Sequence, residues 1–211
     1  MTRPIPSDIA FTPSVKALQT RLGSRAAYAR MESGGGWKTA ITPDFAAFIG
    51  AQISVFLGTA NAAGQPYIQH RGGPAGFLHV LDEKTIGFAE VRGNRQFITL
   101  GNLAENPKAH LFLVDYAQRQ RVKIWGEARV VEDDAALLEM LAPAHAQRRV
   151  ERAIIFTVMA WDANCPRNIP QRFEAADVER ALEQRDRRIG ELEREIARLR
   201  PRSEAKAGSR R

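Results

Sequence analysis

The alternating pattern between Arg121 and Val131 constrains the fold of this chain more than any other feature. Apolar residues occupy one face of this segment, and charged residues with one tryptophan occupy the other, which predicts a half-buried β-strand. Six more short strand-like runs are separated by turn residues: 53–60, 66–71, 77–81, 85–89, 109–114 and 153–161. Many short antiparallel strands predict a β-barrel with added helices, because closing a sheet removes its exposed edges.

The segment before the first strand is predicted to be helical. One amphipathic helix is predicted over residues 14–31 from the helical spacing of its apolar residues, Val15, Leu18, Leu22 and Ala26. The following Ser33–Gly36 stretch matches no nucleotide-binding motif, so we interpret it as a linker or an active-site flap. Thr42 followed by Pro43 is typical of a helix N-terminus and predicts a second, short helix.

A β-hairpin over residues 77–89 brings two arginine-containing segments to its open end. Arg71, followed by two glycines, precedes it, and Asn94 and Arg95 follow it. Asn94 is predicted to be the N-cap of a helix over residues 95–104, whose first N–H groups would attract an anion. Two guanidinium groups beside glycine backbone and a helix N-terminus are suited to a phosphate. The sequence therefore predicts a phosphate site here.

Four motifs in this order carry a resemblance to a known family: H-R-G-G-P-A-G-F, G-N-R-Q, N-L-A-E-N-P and R-V-K-I-W-G-E-A. Over roughly residues 45–173 the chain resembles the pyridoxamine 5′-phosphate oxidase-like family of flavin-binding split barrels. The resemblance implies a six-stranded antiparallel split β-barrel that binds FMN. It also implies a homodimer with the flavin at the subunit interface, acting as an oxidoreductase on a small molecule.

The expected cofactor-binding residues combine the phosphate argument with this resemblance: Gln69, His70, Arg71, Gly72, Phe88, Ala89, Asn94, Arg95, Gln96, Lys123 and Trp161. The resemblance adds that Trp161, Asn164 and Gln171 line the pocket, although a proline-fixed connector explains that segment equally well. Positive charge from Arg121 or Lys123 near the flavin would stabilise its reduced, anionic form. No catalytic residue is identified.

The substrate does not follow from the resemblance, because the segment that closes the true oxidase over its substrate is not recognisable here. A flavin or heme carrier or sensor without turnover is the alternative function, and a deazaflavin is an alternative to FMN. Heme would need an axial ligand, and no histidine is identified for that role. The histidines, His70, His79, His110 and His145, are scattered and predict no metal site.

After residue 177 the pattern changes to apolar residues spaced alternately by four and three. This spacing predicts a coiled-coil helix whose seam, interrupted by Arg185, packs on a second subunit or on its own barrel. We divide the chain into an N-terminal helical extension (1–44), the split barrel (45–173), the heptad helix (174–200) and a basic disordered tail (201–211).

Bulk composition limits the remaining possibilities. The net charge is +7, but Arg200–Arg211 contains five basic residues and one glutamate, so we interpret it as a solubilising tail and nucleic-acid binding as unlikely. Cys165 is the only cysteine, so an internal disulfide is excluded. We interpret Cys165 as a small packed residue and not as a nucleophile. With no signal peptide or membrane-spanning run recognisable, the expected location is cytoplasmic.

Overall fold

A computed structural model describes residues 5–142, 150–164 and 166–208. The chain divides into two compact units, Met1–Asp115 with Arg119–Ile169, and Tyr116–Gln118 with Pro170–Arg211. The helices of the first unit are a 3₁₀ helix at Pro6–Ile9 and five α-helices: α1 Pro13–Arg21, α2 Arg25–Ser33, α3 Pro43–Gly50, α4 Ile98–Glu105 and α5 Ala135–Leu141. Its strands are β1 Ser54–Ala60, β2 Pro66–Gly72, β3 His79–Asp82, β4 Thr85–Val91, β5 Lys108–Asp115, β6 Gln120–Val131 and β7 Val150–Asn164.

All seven strands form one antiparallel sheet in the order β2-β1-β5-β6-β7-β4-β3, so β2 and β3 are its edges. In a flat sheet these edges would lie about 29 Å apart, at ~4.8 Å per strand. Only residues 73–78 join them, and that link spans at most about 25 Å when fully extended. The sheet therefore curls into a barrel that is split between its two edges.

This architecture confirms the expected antiparallel split barrel with helices, with two corrections. The sheet contains seven strands, matching the seven strand-like runs of the sequence but not the six strands that the resemblance implies, and it is not closed by hydrogen bonds between β2 and β3 within the described residues. The last strand is also longer than expected: β7 continues past Trp161 to Asn164, so the start of the predicted connector belongs to the sheet. Pairing with the long strand β6, from Val131 to Arg121, extends β7 beyond its apolar run.

The N-terminal helix prediction is wrong in its length and in its buried face. Gly23 adopts a φ of +82°, a conformation that glycine tolerates and that ends α1 before α2 begins. Leu22 is exposed, whereas Gln19 and Glu32 are buried around Arg25, which donates to both. The start of α3 is confirmed, because the Phe45 N–H donates to Thr42 Oγ1 at 3.3 Å.

The main core fills the interior of the curled sheet. Its largest fully buried side chains include Phe88, Phe156, Leu57 and Ile124, and α3 adds Phe45 and Ile49. A smaller cluster lies under α5, where Leu141 packs with Ala153 and Ile155 of β7. Burial of this apolar area at about 25 cal/mol per Å² is the main stabilising contribution.

The second unit contains the heptad helix, α6, which spans Ala175–Gly208. Residues 201–208, expected to be disordered, continue this helix, consistent with the helix-forming Glu-Ala-Lys-Ala run at 204–207. Gln171, expected near the flavin, instead donates to the carbonyl of Ala117 at 2.9 Å within this unit.

No helix among the described residues combines the length and apolar content that crossing a bilayer requires. The predictions for Cys165, His145 and residues 209–211 lie outside the described residues.

Candidate functional site

A cavity of about 260 Å³ lies at the split of the barrel. In the described residues β3 pairs with Thr85, Ile86 and Gly87 of β4, and the second half of β4 has no strand neighbour on that side there. There the side chains of β2 approach β4 without pairing, and the segment before α4 covers the gap. The polar and charged lining residues are Tyr67, Gln69, Arg71, Glu90, Asn94, Arg95, Gln96, Thr99, Glu151 and Arg152.

Glu90 is the centre of the charge network in this cavity. Its two carboxylate oxygens accept from Arg71 at 2.6 Å and from Arg152 at 3.3 Å. The Arg71 bond joins β2 to β4 across the split, and Arg152 lies directly opposite Glu90 in the β4–β7 pair. Burial works to lower the pKa of Arg152, but its hydrogen bonds to Glu132 and Glu90 outweigh burial and raise that pKa. The Arg152 guanidinium is therefore held in place and charged, and the Glu90 carboxylate also fixes the position of Arg71.

The cavity retains cationic donors that protein carboxylates do not satisfy. The Nε atom of Arg71 is buried and has no hydrogen-bond partner within the described part of the chain. Among the described residues, Arg95 forms no ion pair. With three arginines and two glutamates in the lining, the cavity carries a net charge of +1. A buried donor without a partner is costly, so this geometry favours an added anion.

The prediction that Asn94 caps the following helix is wrong. α4 begins at Ile98, and its N-cap is Phe97, which adopts a left-handed φ of 56°. Asn94 Oδ1 instead accepts from the Gln96 N–H at 3.2 Å, which stabilises a turn in the loop. A second left-handed residue, Arg95, belongs to the same loop. The first turn of α4 still lines the cavity, so its free N–H groups remain available to an anion.

The structure brings five of the predicted cofactor-binding residues into this cavity: Gln69, Arg71, Asn94, Arg95 and Gln96. Gln69 and Arg71 share a face of β2 because they are two residues apart. Gln69 accepts a hydrogen bond from Thr99 Oγ1 at 2.7 Å, which links β2 to the first turn of α4. The hairpin argument therefore predicted the correct neighbours, although not the helix start.

Four other predicted residues lie outside the cavity. His70 and Gly72 are on the opposite face of β2, where Ser54 Oγ lies 2.8 Å from His70 Nε2. A Cβ on Gly72 would meet the His70 ring at 3.0 Å, so close packing explains this glycine. Phe88 is fully buried in the main core, and Ala89 packs against the cluster under α5.

Lys123 and Trp161 also lie away from the cavity. Lys123 pairs with Asp162 at 3.2 Å and lies over the Trp37 and Trp125 rings, which stack 4.3 Å apart. Trp161 is a core residue that stacks on Phe45 with ring centroids 4.0 Å apart, and its Nε1 donates to the Ala40 carbonyl. Asn164 ends β7, at the register position opposite Arg121.

Glu90, Arg152 and Thr99 belong to the cavity but are not predicted from the sequence. Arg152 directly precedes the predicted strand at 153–161, and Glu90 directly follows the one at 85–89. Charged residues at both ends of apolar strands are a weak signal of a cross-strand ion pair. It becomes useful only once β4 and β7 are known to pair.

No three His, Cys, Asp or Glu side chains among the described residues are placed to hold a metal ion.

His110 lies on the outer face of β5, with its ring 5.0 Å from that of Trp125 in an edge-on contact. Burial, with a smaller effect from the nearby Lys123, lowers the pKa of His110 from 6.5 to about 4. The folded protein therefore keeps this ring neutral at pH values where the unfolded chain protonates it. Stability then rises with pH through this interval.

Lowering the pH from 7.5 to 5.0 is expected to destabilise the protein partly through His110. Each pH unit between the unfolded pKa of 6.5 and the folded pKa of about 4 lowers the free energy of unfolding by up to ~1.4 kcal/mol. At pH 5 the loss due to His110 is therefore about 2 kcal/mol. Urea unfolding of the wild type and His110→Gln at both pH values measures this difference. If the two proteins lose equal stability on acidification, the His110 assignment is wrong.

A family model described as pyridoxamine 5′-phosphate oxidase matches residues 41–184, more than half of the chain. The structure is similar to that of HupZ from Group A Streptococcus, with a TM-score of 0.47 and 21% sequence identity. The match covers 63% of this chain and 99% of the HupZ chain. An FMN-binding protein from Syntrophomonas wolfei has a TM-score of 0.46 and 12% identity, covering 72% of this chain and 95% of its own. No curated protein sequence matches.

Proposed function

Because the chain belongs to the pyridoxamine 5′-phosphate oxidase family, we propose that it is an FMN-dependent oxidoreductase acting on a small molecule. The FMN phosphate is proposed to bind in the arginine-lined cavity at the barrel split. The protein is proposed to act as a homodimer, with the flavin ring between two subunits. FMN, when bound, supplies the hydride or electron transfer, and the chain supplies binding, orientation and charge.

The unsatisfied donors of the cavity carry this proposal. A phosphate dianion placed beside Arg71 Nε and the Arg95 guanidinium would complete both groups with charge-assisted hydrogen bonds. The N–H groups in the first turn of α4 add single donors and positive dipole charge. Gln69, Asn94 and Gln96 are neutral lining residues that provide further polar contacts.

Glu90 has a positioning role in this proposal. Its negative charge opposes a phosphate, but it fixes the guanidinium groups of Arg71 and Arg152 at the cavity wall. Without Glu90, the three arginines would repel one another and their side chains would sample other rotamers. Ordering these side chains when the phosphate binds would then cost conformational entropy and weaken binding. The remaining net charge of +1 still favours an anion over a neutral ligand.

The size of the cavity supports a site shared between subunits. Sites that enclose a whole small molecule have volumes of about 300–1,000 Å³, and this cavity has about 260 Å³. It is large enough for a phosphate and part of the ribityl chain, so the flavin ring needs a wall outside it. His70 and Lys123, which face outward, reach a cofactor only if a second copy presents one.

The cofactor of the purified protein tests this proposal. The expected result is a flavin absorption spectrum, released FMN identified by mass, and turnover with a nicotinamide donor and an electron acceptor. A protein that holds FMN without any turnover is the carrier or sensor alternative. Release of a deazaflavin or heme instead, with no uptake of added FMN, would contradict the cofactor assignment.

A further inference from the structure

The heptad seam of α6 is an apolar stripe, interrupted by Arg185, whose side chains are largely exposed within the second unit as described. Its apolar members are 41–53% exposed: Val178, Leu182, Ile189, Leu192, Ile196 and Leu199. The other faces of the helix are dominated by charged residues. Six large apolar side chains on one face of a charged helix are typical of a surface that associates with another helix.

The residue types at the seam specify the kind of association. The spacing assigns Leu182, Ile189 and Ile196 to the a positions of the heptad, and Val178, Arg185, Leu192 and Leu199 to the d positions. Isoleucine at a with leucine at d favours a parallel, two-stranded coiled coil, because each side-chain shape suits the packing angle of its layer. The most complete layers are therefore in the second half of the seam, from Ile189 to Leu199.

We propose that α6 pairs with α6 of a second copy of this chain as a parallel, in-register coiled coil. The charged flanks of the seam agree with this orientation. Arg188 is at g and Glu193 at the following e, so each Arg188 would face Glu193 of the other copy, twice in the dimer. In the single chain Arg188 pairs with Glu191 in an exposed contact at 2.8 Å, which is weak enough to exchange.

An antiparallel pair is less favourable. With the seam fully overlapped, antiparallel helices bring e positions of one copy opposite e positions of the other. In the register that places Leu182 opposite Leu199, Asp186 of each copy would face Glu193 of the other, twice in the pair. Arg188 would face Glu195 in place of Glu193, so the antiparallel pair keeps an attractive contact for Arg188. It adds the two repulsive contacts between Asp186 and Glu193. The parallel arrangement has the favourable contact without these carboxylate pairs, and its own like-charge contact, Arg185 opposite Arg185 at d, is flanked by the Asp186 side chains.

Two residues weaken the seam and give the proposal its sharpest controls. Arg185 replaces an apolar residue at d, next to Asp186 at e, which can neutralise it from the other copy. Gly190 is at the outward b position, where an added Cβ would approach only Arg194 Nη1 at 3.7 Å. Arg185→Leu completes the apolar row, and Gly190→Ala favours the helix without steric conflict. Both are expected to strengthen pairing.

Disulfide cross-linking of the full-length chain tests the orientation directly. In a Cys165→Ser background, Leu199→Cys places a thiol at d, where two copies meet in a parallel pair. In the overlapped antiparallel pair Leu199 faces Leu182 instead, about 25 Å from the second Leu199 at ~1.5 Å per residue. Arg194→Cys, at the outward f position of the same helix, is the matched control.

Rapid oxidation of Leu199→Cys to a covalent dimer, with little from Arg194→Cys, is the expected result. Adding Ile189→Asp and Ile196→Asp should abolish this cross-link, and Arg185→Leu should accelerate it. Equal cross-linking of both cysteine variants would overturn the proposal. So would cross-linking that requires a mixture of Leu182→Cys and Leu199→Cys chains. This readout involves no flavin, so it can fail while the proposed cofactor site stands, or the reverse.

Discussion

Replacing Arg71 by alanine is expected to weaken FMN binding about 10- to 150-fold. The change removes the buried guanidinium that joins β2 to Glu90 across the barrel split and whose Nε has no partner among the described residues. A charge-assisted hydrogen bond contributes roughly 1.5–3 kcal/mol, and each 1.4 kcal/mol is a factor of ten in affinity. Titration of the apoprotein with FMN, followed by flavin fluorescence, measures the loss.

The controls for Arg71→Ala separate phosphate binding from folding. Riboflavin lacks the phosphate, so its affinity should be low in the wild type and nearly unchanged in the variant. Arg129→Ala removes an exposed arginine of β6 and should leave FMN affinity unchanged. Arg95→Ala should weaken FMN binding with little effect on stability, because Arg95 has no ion pair in the described part of the chain. Wild-type FMN affinity in both cavity variants would place the phosphate elsewhere.

The neighbours of Arg71 could be predicted because hairpin geometry is local. A hairpin returns the chain to its starting point, so residues before 77 and after 89 must lie close together whatever the rest of the fold does. Glu90 and Arg152 are different, because they are 62 residues apart. Their contact depends on the register between β4 and β7, which no local pattern determines. The carboxylate that organises the site therefore gives only a weak signal in the sequence.

The start of α4 shows a second limit of local reasoning. Asn94 is a favoured N-cap residue, and the apolar residues that follow it have helical spacing. Phe97 adopts a left-handed conformation that is unfavourable for a residue with a Cβ. Its ring lies 5.6 Å from the guanidinium carbons of both Arg95 and Arg152. Contacts with cations above an aromatic face offset such strain, and only the assembled site contains them.

Trp161→Ala is expected to lower the free energy of unfolding by about 3–5 kcal/mol, the usual cost of truncating a buried tryptophan. The ring is buried against Phe45, and its Nε1 donates to the Ala40 carbonyl at 2.9 Å. Next to it, the Trp161 N–H donates to the Lys38 carbonyl at 2.8 Å. The residue therefore attaches the segment before α3 to the end of β7. Urea unfolding at pH 7.5 measures the loss.

Trp161→Phe tests whether this tryptophan is a core residue or a wall of the flavin pocket, as the family resemblance implied. Phenylalanine keeps much of the stack on Phe45 but leaves the Ala40 carbonyl without its donor, so stability should fall by roughly 1–3 kcal/mol. FMN affinity should stay at the wild-type value, because the Trp161 ring is buried against Phe45 and is not among the residues that line the arginine cavity. A variant with native stability and markedly weaker FMN binding would show the opposite: the ring contacts the flavin, and the cofactor extends from the barrel split to the end of β7.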